Sequence, residues 1–101
     1  MLSIKPGVKI TGITPEMQLG NQIVNQVFNE NDYECTITEI MPTVKHKRGS
    51  RHNTGNAIDY RIRHVSVKDR GMITKILITA LGENYDVVPH RKHTHIEFDP
   101  K

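Results

Sequence analysis

The chain has 101 residues, 25% of them charged, with 14 Lys and Arg against 11 Asp and Glu and a formal charge of +3. That length supports one core of two layers and not a second, so residues 1–101 are expected to form a single domain. A single cysteine, Cys35, excludes an internal disulfide and a thiolate zinc site, so any metal centre has to use histidine and carboxylate.

In chain order, the opening run MLSIKPGVKI lacks the continuous apolar stretch of a secretory signal. Nowhere do the roughly 18 apolar residues of a membrane span follow one another. Synthesis in a cytoplasm is expected, with any action at a cell wall or in a virion depending on separate release or delivery. ITPEMQLGNQIVNQVFNEN then predicts a first helix, with Thr14 as N-cap, Pro15 as its first residue and Glu16 in the first turn. Leu19, Ile23 and Val27, flanked by Val24 and Phe28, form its apolar stripe. ECTITEI is β-branched and alternating, placing Cys35 and Ile37 on one face of a strand and Thr36, Thr38 and Ile40 on the other. Cys35 reads as a small buried hydrophobe.

MPTVKHKRGSRHNTG has Pro, Gly and Ser among basic side chains without period and reads as a loop. NAIDYRI follows as a strand in which Ile58, Tyr60 and Ile62 share the apolar face, and Ala57, Asp59 and Arg61 point the other way. SVKDRGMITKILITALG predicts a second helix, capped by Ser66 with Asp69 three residues on, striped by Ile73, Ile76, Leu77 and Ala80, and ended by Gly82. Gly71 weakens it. YDVVP and HTHIEFD are short enough and close enough to pair as a hairpin across His90, Arg91 and Lys92. The expected class is α+β: one small, mostly antiparallel sheet with two helices packed on it.

The chemistry concentrates in two places. His93, His95 and Glu97 fall on one face of the last strand, opposite Ile96 and Phe98, so two imidazoles project together about 7 Å apart. A catalytic zinc site takes three protein ligands from His and Asp or Glu at about 2.0 to 2.2 Å and leaves a fourth position for water. His52, Asp59 and His95 supply such a set, with Gly55 permitting the tight turn between the first two and Ala57 leaving room beside them. Taken singly, a histidine in a basic loop is an ordinary solvated side chain and an aspartate on an edge strand an ordinary surface residue. The argument is the conjunction: five of the six histidines, all but His64, lie in segments 46–59 and 90–95.

The run Ser50, His52, Gly55, Ala57, Asp59 resembles the SxHxxGxAxD signature of the zinc D-Ala-D-Ala carboxypeptidase group, which includes phage L-alanyl-D-glutamate endolysins and the hedgehog signalling domain. The order of elements is similar over most of the chain, and HTHIEFDP looks like the closing strand of small phage-encoded members. The resemblance implies a hedgehog-like fold and one Zn²⁺ per chain on His52, Asp59 and His95. It implies hydrolysis of an amide bond at a D-amino acid of the peptidoglycan stem peptide by a zinc-activated water. His46 and His93 match histidines that flank the zinc in that group, where they would polarise the substrate carbonyl or hold the oxyanion.

One departure bears on activity. The group's acid or base is a Glu or Asp a few residues before the last ligand, whereas this chain has Pro89, His90, Arg91 and Lys92 there. His90 stands in that place, and an imidazole with an ordinary pKa near 6.5 suits proton transfer at neutral pH. Two readings follow: a zinc peptidase using His90, or a non-catalytic zinc-binding structural or virion protein. Arg51 and Arg61 are candidates to hold a substrate carboxylate. The net charge also fits nucleic acid, but KHKRGSRH contains no aromatic side chain on which bases could stack, which argues against it.

Overall fold

A computed structural model describes residues 2–8, 12–40 and 55–100. The basic loop expected after the second strand therefore lies, apart from Gly55, outside the described residues. The described elements are β1 (Leu2–Ile4), α1 (Pro15–Glu30), β2 (Cys35–Glu39), β3 (Ala57–Arg61), α2 (Val67–Leu81), β4 (Tyr85–Pro89) and β5 (His93–Phe98). The strands form one sheet in the order β1-β2-β3-β5-β4, with every neighbouring pair antiparallel except β1 and β2. This is the expected α+β class, two helices and a mostly antiparallel sheet. The sequence reading had no β1, which is only three residues long and is followed by Pro6 and Gly7.

Both helices start where their caps predict. The Thr14 hydroxyl accepts from the Met17 amide at 3.2 Å, and Ser66 Oγ accepts from the Asp69 amide at 3.2 Å, each satisfying a donor that the first turn leaves without an intrahelical partner. Gly82 ends α2 at φ 84°, a backbone region that favours glycine.

The buried stripes differ from expectation in detail. In α1 the buried residues are Met17, Gly20, Val24, Val27 and Phe28, while Leu19 is 55% exposed. The centre of that face is Gly20, over which the Tyr85 ring lies so closely that an added Cβ would sit 2.9 Å from Cε2; the Tyr85 hydroxyl then donates to the Glu16 carbonyl at 2.6 Å. A contact centred on a glycine leaves no apolar signal in the sequence. In α2 the buried line is Ile73, Leu77 and Leu81, and both Ile76 and Ala80 are exposed.

The helices cover one face of the sheet. Cys35, Ile37, Ile58, Tyr60 and Ile96 from three strands form one core with Met17, Val24 and Phe28 of α1 and Ile73 and Leu77 of α2. Cys35 is free and buried, and that burial pushes its thiol up to about 12, which keeps it a protonated, unreactive hydrophobe. Tyr60 is fully buried, and its hydroxyl donates to Asn21 Oδ1 at 2.8 Å. Among the described residues no helix is long and apolar enough to cross a membrane.

Gly71 contrasts with Gly20, since a Cβ added there meets nothing within 4 Å. It occupies a helix interior with no packing reason for lacking a side chain, so Gly71→Ala is expected to stabilise the protein by about 0.5 to 1 kcal/mol. Thermal denaturation should show a rise of a few degrees; an unchanged or lower midpoint would mean that this position is not helical in solution.

Candidate functional site

The face of the sheet turned away from the helices carries the polar residues, and strand register decides which of them meet. In β3 and β5, Ala57 pairs with Glu97, Asp59 with His95 and Arg61 with His93. Directly opposed residues on adjacent strands share a face, and every second residue returns to it. Asp59, Arg61, His93, His95 and Glu97 are therefore neighbours on one surface.

Asp59 is the centre of this group. It is 7% exposed, and its Oδ1 lies 2.9 Å from His95 Nδ1 while its Oδ2 lies 3.6 Å from His93 Nε2. A carboxylate this buried is costly unless partnered, and two imidazoles face it. On its other side β2 has a bulge between Ile37 and Glu39 that brings Glu39 opposite Asp59, and the Thr38 hydroxyl donates to the Asp59 carbonyl at 3.2 Å.

His95 has a carboxylate at each ring nitrogen: Asp59 at Nδ1 and Glu97 Oε1 at Nε2, also 2.9 Å away. Its pKa is pushed up to about 9, chiefly by the hydrogen bond to Asp59; partial burial opposes the charged form, and Glu97 adds to the upward push. The Glu97 contact also fixes the ring so that Nδ1 is the nitrogen presented to Asp59.

The His90 and His93 rings lie against each other at the turn between β4 and β5, tilted by 30° with centroids 4.8 Å apart, and the His90 amide donates to the His93 carbonyl at 2.8 Å. This sets three imidazoles in a row, His90, His93 and His95, with the last two on Asp59. Neither a protein-family model nor a curated protein matches this chain. What the site can do therefore rests on its own geometry.

Of the residues expected from sequence, the structure brings together Asp59, His93, His95, His90 and Arg61. His46, Arg51 and His52 lie outside the described residues. Arg61 does not touch Asp59 in a salt bridge; it lines a pocket of about 300 Å³ beside Asp59 and His93, together with Lys5, Arg63 and Lys92. Sequence alone offers no sign of Lys5 or Arg63 as site residues and shows Lys92 only as a neighbour of His90 in its turn; the three come from separate segments and share no motif.

It also gave Glu97 no role. Glu97 sits opposite Asp86 in the β4–β5 ladder, and carboxylate oxygens of Asp86, Glu97 and Asp99 lie within 4.8 Å of one another. Alternation along HTHIEFD puts Glu97 on the histidine face, which was the available signal; Asp86 joins only through the hairpin register.

Proposed function

We propose that the chain is a zinc-dependent peptidase acting on bacterial cell-wall peptides, with His52, Asp59 and His95 holding one ion. The observation that carries this reading is the contact between Asp59 and His95: a buried carboxylate and an imidazole nitrogen from two strands, 2.9 Å apart. Ligands bound tetrahedrally at about 2.0 to 2.2 Å stand roughly 3.3 Å from one another, so opening this pair by a few tenths of an ångström suits a shared cation. Glu97 on Nε2 is the kind of outer partner that orients a ligating histidine and raises its basicity. On this reading His52, at the signature spacing from Asp59, is the third donor.

Zinc held there would act as a Lewis acid and lower the pKa of a bound water to about 7. His93, with its ring between Asp59 and His90, is positioned to donate to a substrate carbonyl oxygen. His90, whose ring lies against that of His93 at the surface, would take a proton from the attacking water and pass it to the leaving amine. The scissile amide is at a D-amino acid of the stem peptide, which places the work at the cell wall.

A second reading, a non-catalytic zinc-binding structural or virion protein, is favoured by one feature, the absence of any Asp or Glu from residues 89–92. Metal content and peptidoglycan digestion measured on one sample separate the two. The peptidase should hold about one zinc per chain, lose it in His52→Ala, Asp59→Ala or His95→Ala, and release amine from purified peptidoglycan. In His90→Ala the zinc should remain and the rate should fall by about 10² to 10⁴. Zinc without amine release would select the binding reading, and absence of zinc would discard both.

A further inference from the structure

We infer that the outer edge of β4 is a dimer interface, joining antiparallel to the same edge of a second copy of this chain about a twofold axis at Val87. β4 ends the sheet, and among the described residues no strand pairs with its outer side. The phase of its ladder decides what that side offers. The His90 amide donates to the His93 carbonyl and the Asp99 amide to the Asn84 carbonyl, each at 2.8 Å. Backbone groups alternate in direction along a strand, so Asn84, Asp86, Val88 and His90 turn theirs to β5, and Tyr85, Val87 and Pro89 turn theirs outward. Of these three, Pro89 has no N–H, and the Tyr85 amide donates to the Gly82 carbonyl at 3.3 Å. Val87 therefore offers both a donor and an acceptor to the outside, and two copies of it satisfy each other when their strands run antiparallel.

Charge identifies the occupant as a second copy. Pairing Val87 with Val87 of another copy sets Tyr85 opposite Pro89, Asn84 opposite His90 and Glu83 opposite Arg91, and the twofold axis repeats each match. Residues 82–92 are acidic at their start, with Glu83 and Asp86, and basic at their end, with His90, Arg91 and Lys92. Antiparallel self-pairing brings the unlike ends together, whereas a parallel copy would set Glu83 against Glu83 and Arg91 against Arg91. On the helix side the seam is apolar. Val87 packs against the core there, and Gly71 and Thr74 of α2 line a cavity with Pro89. Ile78, four residues beyond Thr74, extends that flank of α2 with 52% of its surface exposed. Because the same edge is used on both copies, the contact closes at two chains. It makes one continuous sheet with both Asp59 faces on the same side and the two β5 strands three strand spacings apart, about 14 Å. Dimerisation through β4 stands whether or not zinc binds.

Sedimentation equilibrium of the full chain at low salt tests this. The average mass should climb from one chain toward two between about 10 μM and about 1 mM. Glu83→Lys and Arg91→Glu each turn two attractions into two repulsions, and each should weaken the dimer by about tenfold. Both side chains are exposed, so neither change should alter the far-ultraviolet circular dichroism of the monomer. The double variant Glu83→Lys, Arg91→Glu restores opposite charges at both places and should dimerise to within about threefold of wild type. An equimolar mixture of the two single variants should also recover the dimer, since each pairs its altered residue with the other's. Lys68→Glu, which reverses an exposed charge on α2 outside the seam, should change nothing. A single-chain mass at 1 mM, assemblies larger than two chains, or a dimer indifferent to both single reversals would overturn the inference. So would equal weakening in Lys68→Glu, or a loss that neither the double variant nor the mixture repairs.

Discussion

Replacing Gly55 with alanine should lower the melting temperature by about 15 to 25 °C and disrupt the proposed metal site along with the fold around it. Two effects act together. Gly55 has φ 78°, where an L side chain costs roughly 1 to 2 kcal/mol. The added Cβ would stand 1.9 Å from the Gly12 carbonyl oxygen and 2.9 Å from its carbon, both backbone atoms that no rotamer change can move aside. The two segments must separate, which threatens the hydrogen bond from the Thr14 amide to the Gly55 carbonyl at 3.2 Å, at the cap of α1. Strain and displacement together cost about 3 to 5 kcal/mol, a large part of the 5 to 15 kcal/mol that holds a typical domain. Each kcal/mol is worth about 4 to 8 °C in a chain of this size. Asp59 lies four residues on, so movement at Gly55 reaches the site through the start of β3. Circular dichroism melts and zinc content of the variant check this; a midpoint within 5 °C of wild type would mean that the chain does not pass so closely between Gly12 and Gly55.

That glycine shows which parts of the architecture were legible. The chain marks Gly55 as special through its spacing to His52 and Asp59, and a turn was expected there. The reason it cannot be anything else is Gly12, more than forty positions earlier, and no local pattern carries that information. The same limit explains α1. Thr14 and Pro15 announce the helix, since capping is a matter of three or four consecutive residues. Which face it buries is set by the Tyr85 ring lying on Gly20, a contact between distant segments. A hydrophobic periodicity scheme promotes Leu19 in its place. In α2, likewise, exposed Ile76 and Ala80 were credited where Leu81 completes the buried line. Strand β1 was missed because three residues make too short a period to recognise, and its pairing with Cys35 to Ile37 is parallel and remote.

The site divides in the same way. Alternation alone put Asp59 on one face of its strand and His93, His95 and Glu97 on one face of theirs, because period two is a property of each strand by itself. Whether those faces coincide depends on register: Asp59 opposite His95 joins them, and a slip of one residue would have turned the histidines to the core. The apolar alternation of Ile58 and Tyr60 against Ile96 specifies that register. The basic pocket was illegible for the opposite reason, since Lys5, Arg63 and Lys92 belong to no periodic element and meet only because of the strand order.

The charge state of His95 yields the second large effect, expected in protein kept free of divalent metal. Its folded-state pKa of about 9 lies above the ordinary value of 6.5, so the imidazolium is favoured by folding. A group raised in this way contributes its stability fully below pH 6.5 and loses it as pH climbs through 9. One pKa step is worth about 1.4 kcal/mol, and solvent at a ring only partly buried trims the total to about 2 kcal/mol. The melting temperature of chelator-treated protein should therefore fall by about 10 °C between pH 6.5 and 9, and His95→Gln should flatten that slope. On the proposed reading the same proton stands where a cation belongs, because a ligating nitrogen must be deprotonated. Zinc loading at pH 7 should then release close to one proton per chain from His95 beyond what the bound water gives up, and near pH 10 the His95 share should vanish, leaving only the proton of the water. Calorimetric titrations in buffers of different ionisation enthalpy count those protons. Uptake of zinc at pH 7 without this proton would show that the ion does not displace the hydrogen bond between His95 and Asp59, and with it the assignment of these two side chains as ligands would fail.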